Sequence, residues 1–158
     1  MNMFLIILIR QRPKEIMKIS NVLLEDIDNL IILELDVLGH TLGKELMVND
    51  CINDNSLYLK IEEKDKIIGY VSIRINGNMS EILNLVIDKN NQNKGYGKIL
   101  MNYVFDKTRS KGIKSVVLDV RTKNTRAIHF YESLGFKRML IRKNYYINDD
   151  AYVYMWEE

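Results

Sequence analysis

The run Leu83-Asn84-Leu85-Val86-Ile87-Asp88-Lys89-Asn90-Asn91-Gln92-Asn93-Lys94-Gly95-Tyr96-Gly97-Lys98 constrains this chain more than any other part of it. An apolar stretch with strand character passes into a polar loop. Two glycines follow, and helical spacing begins, with Ile99, Leu100, Tyr103 and Val104 on one side. Glycines at such a junction let the backbone turn tightly, so that successive N–H groups point outward at the helix N-terminus. That end of a helix attracts phosphate through those donors and the helix dipole. Two phosphate motifs fail on spacing. A P-loop needs Ser or Thr where Ile99 stands, and a dinucleotide fingerprint needs Gly or Ala where Leu100 stands. A bare helix start with no ligand is the competing reading.

Around this junction the chain reads as a strand from Lys18 to Leu23, a helix from Glu25 to Leu38 ended by Gly39, and a shorter helix from Lys44 to Ile52. Leu57 to Ile61 and Ile67 to Ile75 alternate like a hairpin, and Asn76-Gly77-Asn78 turns the chain into a third strand from Glu81 to Ile87. Beyond the glycines come a helix from Gly97 to Lys111, a strand from Ser115 to Val120 and a helix from Thr125 to Leu134. Two strands follow, Lys137 to Arg142 and Ala151 to Trp156, with an Asn148-Asp149-Asp150 turn between them. This order predicts a single α/β domain with a mixed, mostly antiparallel sheet of about seven strands flanked by about four helices.

The chain has 158 residues, enough for one domain. Its 23 basic and 21 acidic side chains leave a net charge of +2, which gives no electrostatic footprint for nucleic acid. A single cysteine, Cys51, excludes an internal disulfide framework, and no nearby base marks it as a nucleophile. His40 and His129 lie at no metal-ligand spacing, so a metal-free, cytoplasmic protein is expected. The apolar stretch from Met3 to Ile9 is far shorter than the ~20 residues of a membrane-spanning helix and lacks the flanks of a signal peptide. Residues 1–16 therefore read as an extension of a domain covering 17–158. The extension is either an extra strand or helix, or, the preferred reading, the product of an over-extended frame before Met17.

Gln92-x-x-Gly95-x-Gly97 after a Val-containing strand resembles the pyrophosphate-binding loop of the GNAT acetyltransferases. Asn124-x-x-Ala127-x-x-x-Tyr131-x-x-x-Gly135-Phe136 resembles the second signature of that superfamily. Within it, the chain looks most like the bacterial ribosomal-protein-alanine N-acetyltransferases (RimI-like). The shared features are Asn84, the Tyr131-Glu132-Ser133-Leu134-Gly135-Phe136 run and Arg142-Lys143-Asn144-Tyr145-Tyr146. The likeness covers about Met17 to Trp156 and is dense after Ile82.

The resemblance implies acetyl-CoA as co-substrate. Its pyrophosphate would lie on the amides of Asn93, Lys94, Gly95, Tyr96, Gly97 and Lys98, and its pantetheine arm along Leu85, Val86 and Ile87. Asn124 would bond the cofactor, although the residue also suits an N-cap. Tyr131 is the implied acid, since a phenol can donate to a departing thiolate; an ordinary core tyrosine is the alternative. The family places a glutamate where this chain has Asp119. The shorter side chain favours a bridging water, and Glu81 is the alternative carboxylate.

Tyr145, Tyr146 and the acidic pair Asp149-Asp150 stand where the family engages its substrate peptide, the N-terminal alanine of a small-subunit ribosomal protein. The segment Leu38-Gly39-His40-Thr41-Leu42-Gly43-Lys44, between the early helices, departs from the subfamily's aromatic-Pro-Trp signature. Two rival functions stand beside N-terminal protein acetylation. One is acetylation of a small amine such as a polyamine, aminoglycoside or amino acid; the other is a non-catalytic acetyl-CoA-binding module. The last strand reads as exposed, which permits either a monomer or a sheet-edge homodimer.

Overall fold

The computed structural model describes residues 7–10 and 16–158. Its strands are β1 (Ile7–Arg10), β2 (Ile16–Asn21), β3 (Ser56–Glu63), β4 (Lys66–Asn76), β5 (Met79–Ile87), β6 (Ser115–Arg121), β7 (Lys137–Tyr146) and β8 (Asp149–Glu157). Its helices are α1 (Ile27–Leu38), α2 (Lys44–Cys51), α3 (Tyr96–Ser110) and α4 (Thr125–Ser133). Short 3-10 turns at Leu24–Asp26 and Lys89–Asn91 lead towards α1 and α3. The strands form one sheet in the order β1-β2-β3-β4-β5-β6-β8-β7, in which only β5 and β6 run parallel. The seven strands from β2 onward and the four helices are the α/β domain expected from the residue pattern. β1 adds an eighth strand, paired with β2 from Ile7↔Ile19 to Arg10↔Ile16. The rest of the 1–16 extension, apart from Ile16 at the start of β2, lies outside the described residues.

The two faces of the sheet carry separate cores. On one, α3 buries Leu100, Met101 and Val104 against the alternate β6 residues Val116, Leu118 and Val120, and Phe105 stacks on Trp156 with ring centroids 4.4 Å apart. On the other, Ile27 and Leu30 of α1 and Met47 of α2 pack on Tyr58, Tyr70 and Val86. Each such aliphatic side chain contributes about 1.5–3 kcal/mol on leaving water. Gly39 ends α1 as expected, in the left-handed region at φ 75° with its N–H donated to the Leu35 carbonyl.

Two expectations at the C-terminal hairpin are corrected. The turn is Ile147-Asn148, with Asn148 at φ 62°, so Asp149 and Asp150 belong to β8 and are no part of the turn. The strand pair simply runs further than the apolar pattern suggested. The last strand is also no edge: β8 lies between β6 and β7, and it is β7 that is solvent-exposed along nearly its whole length.

Candidate active site

The site begins where the parallel pair parts. β5 and β6 are in register only at Met79↔Ser115, Ser80↔Val116 and Glu81↔Val117, although β5 continues to Ile87 and β6 to Arg121. A bulge starts the divergence. Ser72 faces Asn84 and Ile73 faces Ile82, so Leu83 is an extra residue that bends β5. Beyond Glu81, no strand among the described residues pairs with the β6-facing edge of β5. Main-chain groups on such an edge require a partner, and an amide-bearing arm laid along Leu85, Val86 and Ile87 supplies one as a neighbouring strand would.

At the end of β5 the glycine loop is clamped. The Gln92 side-chain amide donates to the Ile87 carbonyl at 2.9 Å, and Gly95 sits at φ 88° as the N-cap of α3. No side chain caps this helix, and its first internal bond runs from the Ile99 N–H to the Gly95 carbonyl. The amides of Tyr96, Gly97 and Lys98 thus precede the first helical hydrogen bond. Asn93, at φ 61°, accepts a hydrogen bond from Arg126 at 3.0 Å, and Lys94 and Lys98 are exposed beside it. A Cβ on Gly97 would lie 3.2 Å from the Phe130 ring, so the glycine lets the first turn of α3 come close to α4. These donors, these cations and the open strand edge fit a pyrophosphate carrying an amide arm.

Asn124 is the N-cap of α4, accepting the Ala127 N–H at 3.1 Å, and is exposed. Its amide nitrogen is not used in that cap. Tyr131, two turns on, is buried and packs edge-on against Phe130 and Phe136 at centroid distances of 5.2 and 5.5 Å. Burial, and then the neighbouring Tyr146, raise its phenol above the ordinary tyrosine value. The phenol therefore stays protonated throughout the physiological range.

Asp119 lies beyond the parting point on β6, on the sheet face opposite the buried Leu118 and Val120. Its Oδ1 is 3.1 Å from the Arg142 guanidinium, which also lies 5.6 Å over the Tyr145 ring. Burial and then Asp119 raise the phenols of both Tyr145 and Tyr146, and Glu81 adds to the effect at Tyr145. The structure thus gathers Asp119, Glu81, Tyr145, Tyr146 and Tyr131 around one opening. It does not bring Asp149 or Asp150 in as free carboxylates. Asp149 accepts from the Thr122 hydroxyl at 2.6 Å and the Lys123 N–H at 3.3 Å, and so fastens the loop before α4. Asp150 binds the Asn144 N–H at 2.8 Å and Lys143 at 3.2 Å.

Cys51 is half-buried, and burial followed by Asp50 and Asp26 pushes its thiol up to about 11, which leaves it no nucleophilic character at neutral pH. His40 is exposed. Among the described residues no group of three His, Cys, Asp or Glu side chains could hold a metal, and no helix is long and apolar enough to cross a membrane.

Sequence reasoning missed the Leu83 bulge, Arg126 and Glu34, and it noted Arg142 only within a shared run, without its place beside Asp119. Glu34 is a fully buried carboxylate that joins α1 to β4, β5 and the loop before α2. Only the helical spacing of Glu34 among Leu30, Ile31 and Leu38 could have signalled it, as a charge on an apolar face.

Comparison with known proteins agrees with this geometry. The acetyltransferase (GNAT) family model matches residues 24–136. The chain is similar to the [ribosomal protein bS18]-alanine N-acetyltransferases of Haemophilus ducreyi, at 36% identity over 60% of this chain and 66% of that one, and of Salmonella typhimurium, at 32% over 57% and 61%. The alignments thus span under two thirds of those relatives' length. The Escherichia coli counterpart is 30% identical over 63% of this chain and 68% of its own. The crystal structure of the Escherichia coli ribosomal-protein-S18-alanine N-acetyltransferase superposes with a TM-score of 0.83 at 23% identity, covering 89% and 93% of the two chains. PaiA N-acetyltransferase from Thermoplasma acidophilum, solved with coenzyme A, superposes with a TM-score of 0.79 at 20% identity over 90% and 99%. By sequence and fold alike, the chain belongs to the acetyltransferase (GNAT) family.

Proposed function

We propose that this protein is an acetyl-CoA-dependent Nα-acetyltransferase that modifies the N-terminal amine, an alanine, of a small-subunit ribosomal protein in the cytoplasm. The observation that carries the reading is the opening between β5 and β6, with Asp119, Tyr145 and Tyr146 at one side, Tyr131 among them and the uncapped α3 N-terminus at its end. The names of the relatives supply the acceptor class.

Acetyl-CoA supplies the acetyl group as a thioester. The amides of Asn93, Lys94, Gly95, Tyr96, Gly97 and Lys98 hold its pyrophosphate, with Arg126 positioning Asn93. Leu85, Val86 and Ile87 pair with its arm, and the free amide nitrogen of Asn124 adds one bond. Tyr131 would donate its hydroxyl hydrogen bond to the departing sulfur. A phenol raised above about 10 is a weaker acid than a thiol near 8.5, so complete proton transfer is uphill. Its main effect is a hydrogen bond that strengthens as charge develops on sulfur. Asp119 takes the amine proton, directly or through one water, and Arg142 holds that carboxylate in place. The demand on this base is modest, because an α-amine with pKa near 7.7–8 loses its proton about 2.5 units more readily than a lysine. Tyr145 and Tyr146 flank the incoming peptide, and Asp149 serves it by fixing the Thr122–Lys123 loop.

Thiol release from acetyl-CoA, followed by mass spectrometry, tests the proposal on peptides with Ala, Ser, Met or Gly N-termini beside spermidine, kanamycin and an N-blocked lysine peptide. Acetyl on an N-terminal alanine, lost in Tyr131→Phe, supports it; turnover of small amines alone overturns the acceptor assignment. Acetyl-CoA binding with no turnover on any amine selects the non-catalytic module. The engaged state of Asp149 and Asp150 counts against a polycation, which would need those carboxylates unoccupied.

A further inference from the structure

Glu34 has no exposed surface, and among the described residues no cation partners its carboxylate. Its four lone-pair positions are filled by four neutral donors, two on each oxygen. Oε1 faces the sheet, where it accepts from the Tyr70 hydroxyl of β4 and from the Asn84 amide of β5 at 2.6 Å. Oε2 faces the loop between α1 and α2, where it accepts from the Thr41 hydroxyl at 2.5 Å and the Leu42 N–H at 3.0 Å. Thr41 Oγ1 in turn accepts the Gly43 N–H at 3.1 Å, so the carboxylate organises the backbone of 41–43 as well as anchoring it.

The place of this loop makes the anchoring matter. Asn84 is the first residue after the Leu83 bulge, where β5 has already left β6. Leu42 and Gly43 line an open hollow with Lys44, Asn49, Asp50 and Arg74. Arg74 is the register partner of Glu81, and Glu81 is the last β5 residue in register with β6. Register partners share a face of the sheet, and Glu81 shares its face with Val117 and hence with Asp119. The hollow beside the loop therefore opens, at Arg74, on the sheet face that carries Glu81 and Asp119.

We propose that Glu34 is a positioning residue for the acceptor, the device that holds segment 41–43 as one wall of the acceptor cleft. This rests on the acetyltransferase reading above. Glutamine at 34 keeps the volume but turns one acceptor oxygen into a donor, which on the loop side would meet the Leu42 N–H, a donor that cannot reverse. The loop side is the one free to give way, since Tyr70 and Asn84 are held in strands.

Three variants test the assignment: Glu34→Gln, Thr41→Val and Tyr70→Phe. Thr41→Val removes the loop's side-chain bond without altering the carboxylate, and so serves if Glu34→Gln fails to fold. With an N-terminal alanine peptide, Glu34→Gln and Thr41→Val are expected to raise the acceptor KM about fivefold or more while kcat and the acetyl-CoA Kd stay within about twofold. Tyr70→Phe lowers the melting temperature and leaves the acceptor KM alone. Unchanged KM in Thr41→Val, or parallel losses of kcat and cofactor affinity in every variant, overturns the proposal and leaves Glu34 a structural residue. Should the wild-type chain acetylate no peptide, the proposed function fails instead. Hydrogen exchange then decides for Glu34: Leu42 and Gly43 amides exchanging about tenfold faster in Thr41→Val support the anchor, and equal rates overturn it.

Discussion

Arg142 and Asp119 meet across two strands that are not neighbours. β8 lies between β7 and β6, yet the Arg142 Nε reaches Asp119 Oδ1 at 3.1 Å, over the Ala151 position with which both Arg142 and Arg121 are in register. Ala151 is fully buried and small, and the long arginine passes above it. The ion pair sets a cation beside Asp119 Oδ1, whose side chain is 14% exposed, although the Arg142 N–H is not aimed at that oxygen as in a hydrogen bond.

The two residues should act as a unit. Asp119→Asn is expected to lower kcat by about 10²-fold, the usual scale for losing a general base. Arg142→Ala should lower it about tenfold, and the double variant should be no worse than Asp119→Asn alone. Steady-state thiol release from the four proteins checks this, and additive losses would separate the roles of the two residues.

Tyr131→Phe should keep the fold and lose the reaction. The ring contacts with Phe130 and Phe136 need no hydroxyl, so the stability change should stay below about 1 kcal/mol by urea denaturation. The same variant should lose about 10²-fold in kcat with acceptor KM little changed.

Gly69 tests the strand edge proposed to carry the cofactor arm. A Cβ there would stand 2.7 Å from the Val86 carbonyl oxygen and 2.6 Å from Ile87 Cδ1. Gly69→Ala must push the end of β5 outward, at a cost of about 2–3 kcal/mol. Equilibrium denaturation should show that loss, and calorimetric titration should show weaker acetyl-CoA binding, because Val86 and Ile87 are the residues displaced.

Alkali should destabilise the protein from a defined point. Burial raises the phenols of Tyr58, Tyr70 and Tyr131, with Asp50 next in importance at the first, Glu34 at the second and Tyr146 at the third. Above about pH 10 the unfolded chain gives up these protons while the folded chain keeps them. The folded state then binds more protons, so stability is flat below that pH and falls above it, by about 1.4 kcal/mol per pH unit for each phenol fully engaged. Denaturation at pH 8 and pH 11 measures the difference, and equal stabilities would contradict the burial of these hydroxyls.

The periodicities and turn residues in the sequence placed every element from β2 to β8 within a few residues. The pair of glycines after an apolar run marked the left-handed turn at Gly95 that opens α3. That succeeded because such signals are local: spacing along one helix, alternation along one strand, a left-handed glycine at a boundary. Asp149 and Asp150 show where locality fails. In sequence they are an acidic turn; in space they belong to β8, and their oxygens are already taken by Thr122, Lys123, Asn144 and Lys143. The Leu83 bulge is equally silent, since an extra residue in a strand is defined only by the partner it fails to match.

By itself the sequence determined the order of strands and helices, the family to which they belong and the residue types available for proton transfer. Tertiary structure alone decided that β5 and β6 part after Glu81, that Arg142 crosses to Asp119 and that Glu34 bridges a loop to the sheet. The reason is one of distance. The joined groups lie 23 positions apart in the first pair and 50 in the longest arm of the second, between Glu34 and Asn84. A hydrogen bond acts over about 3 Å and is set by how twisted strands and packed helices meet, which residue spacing does not encode.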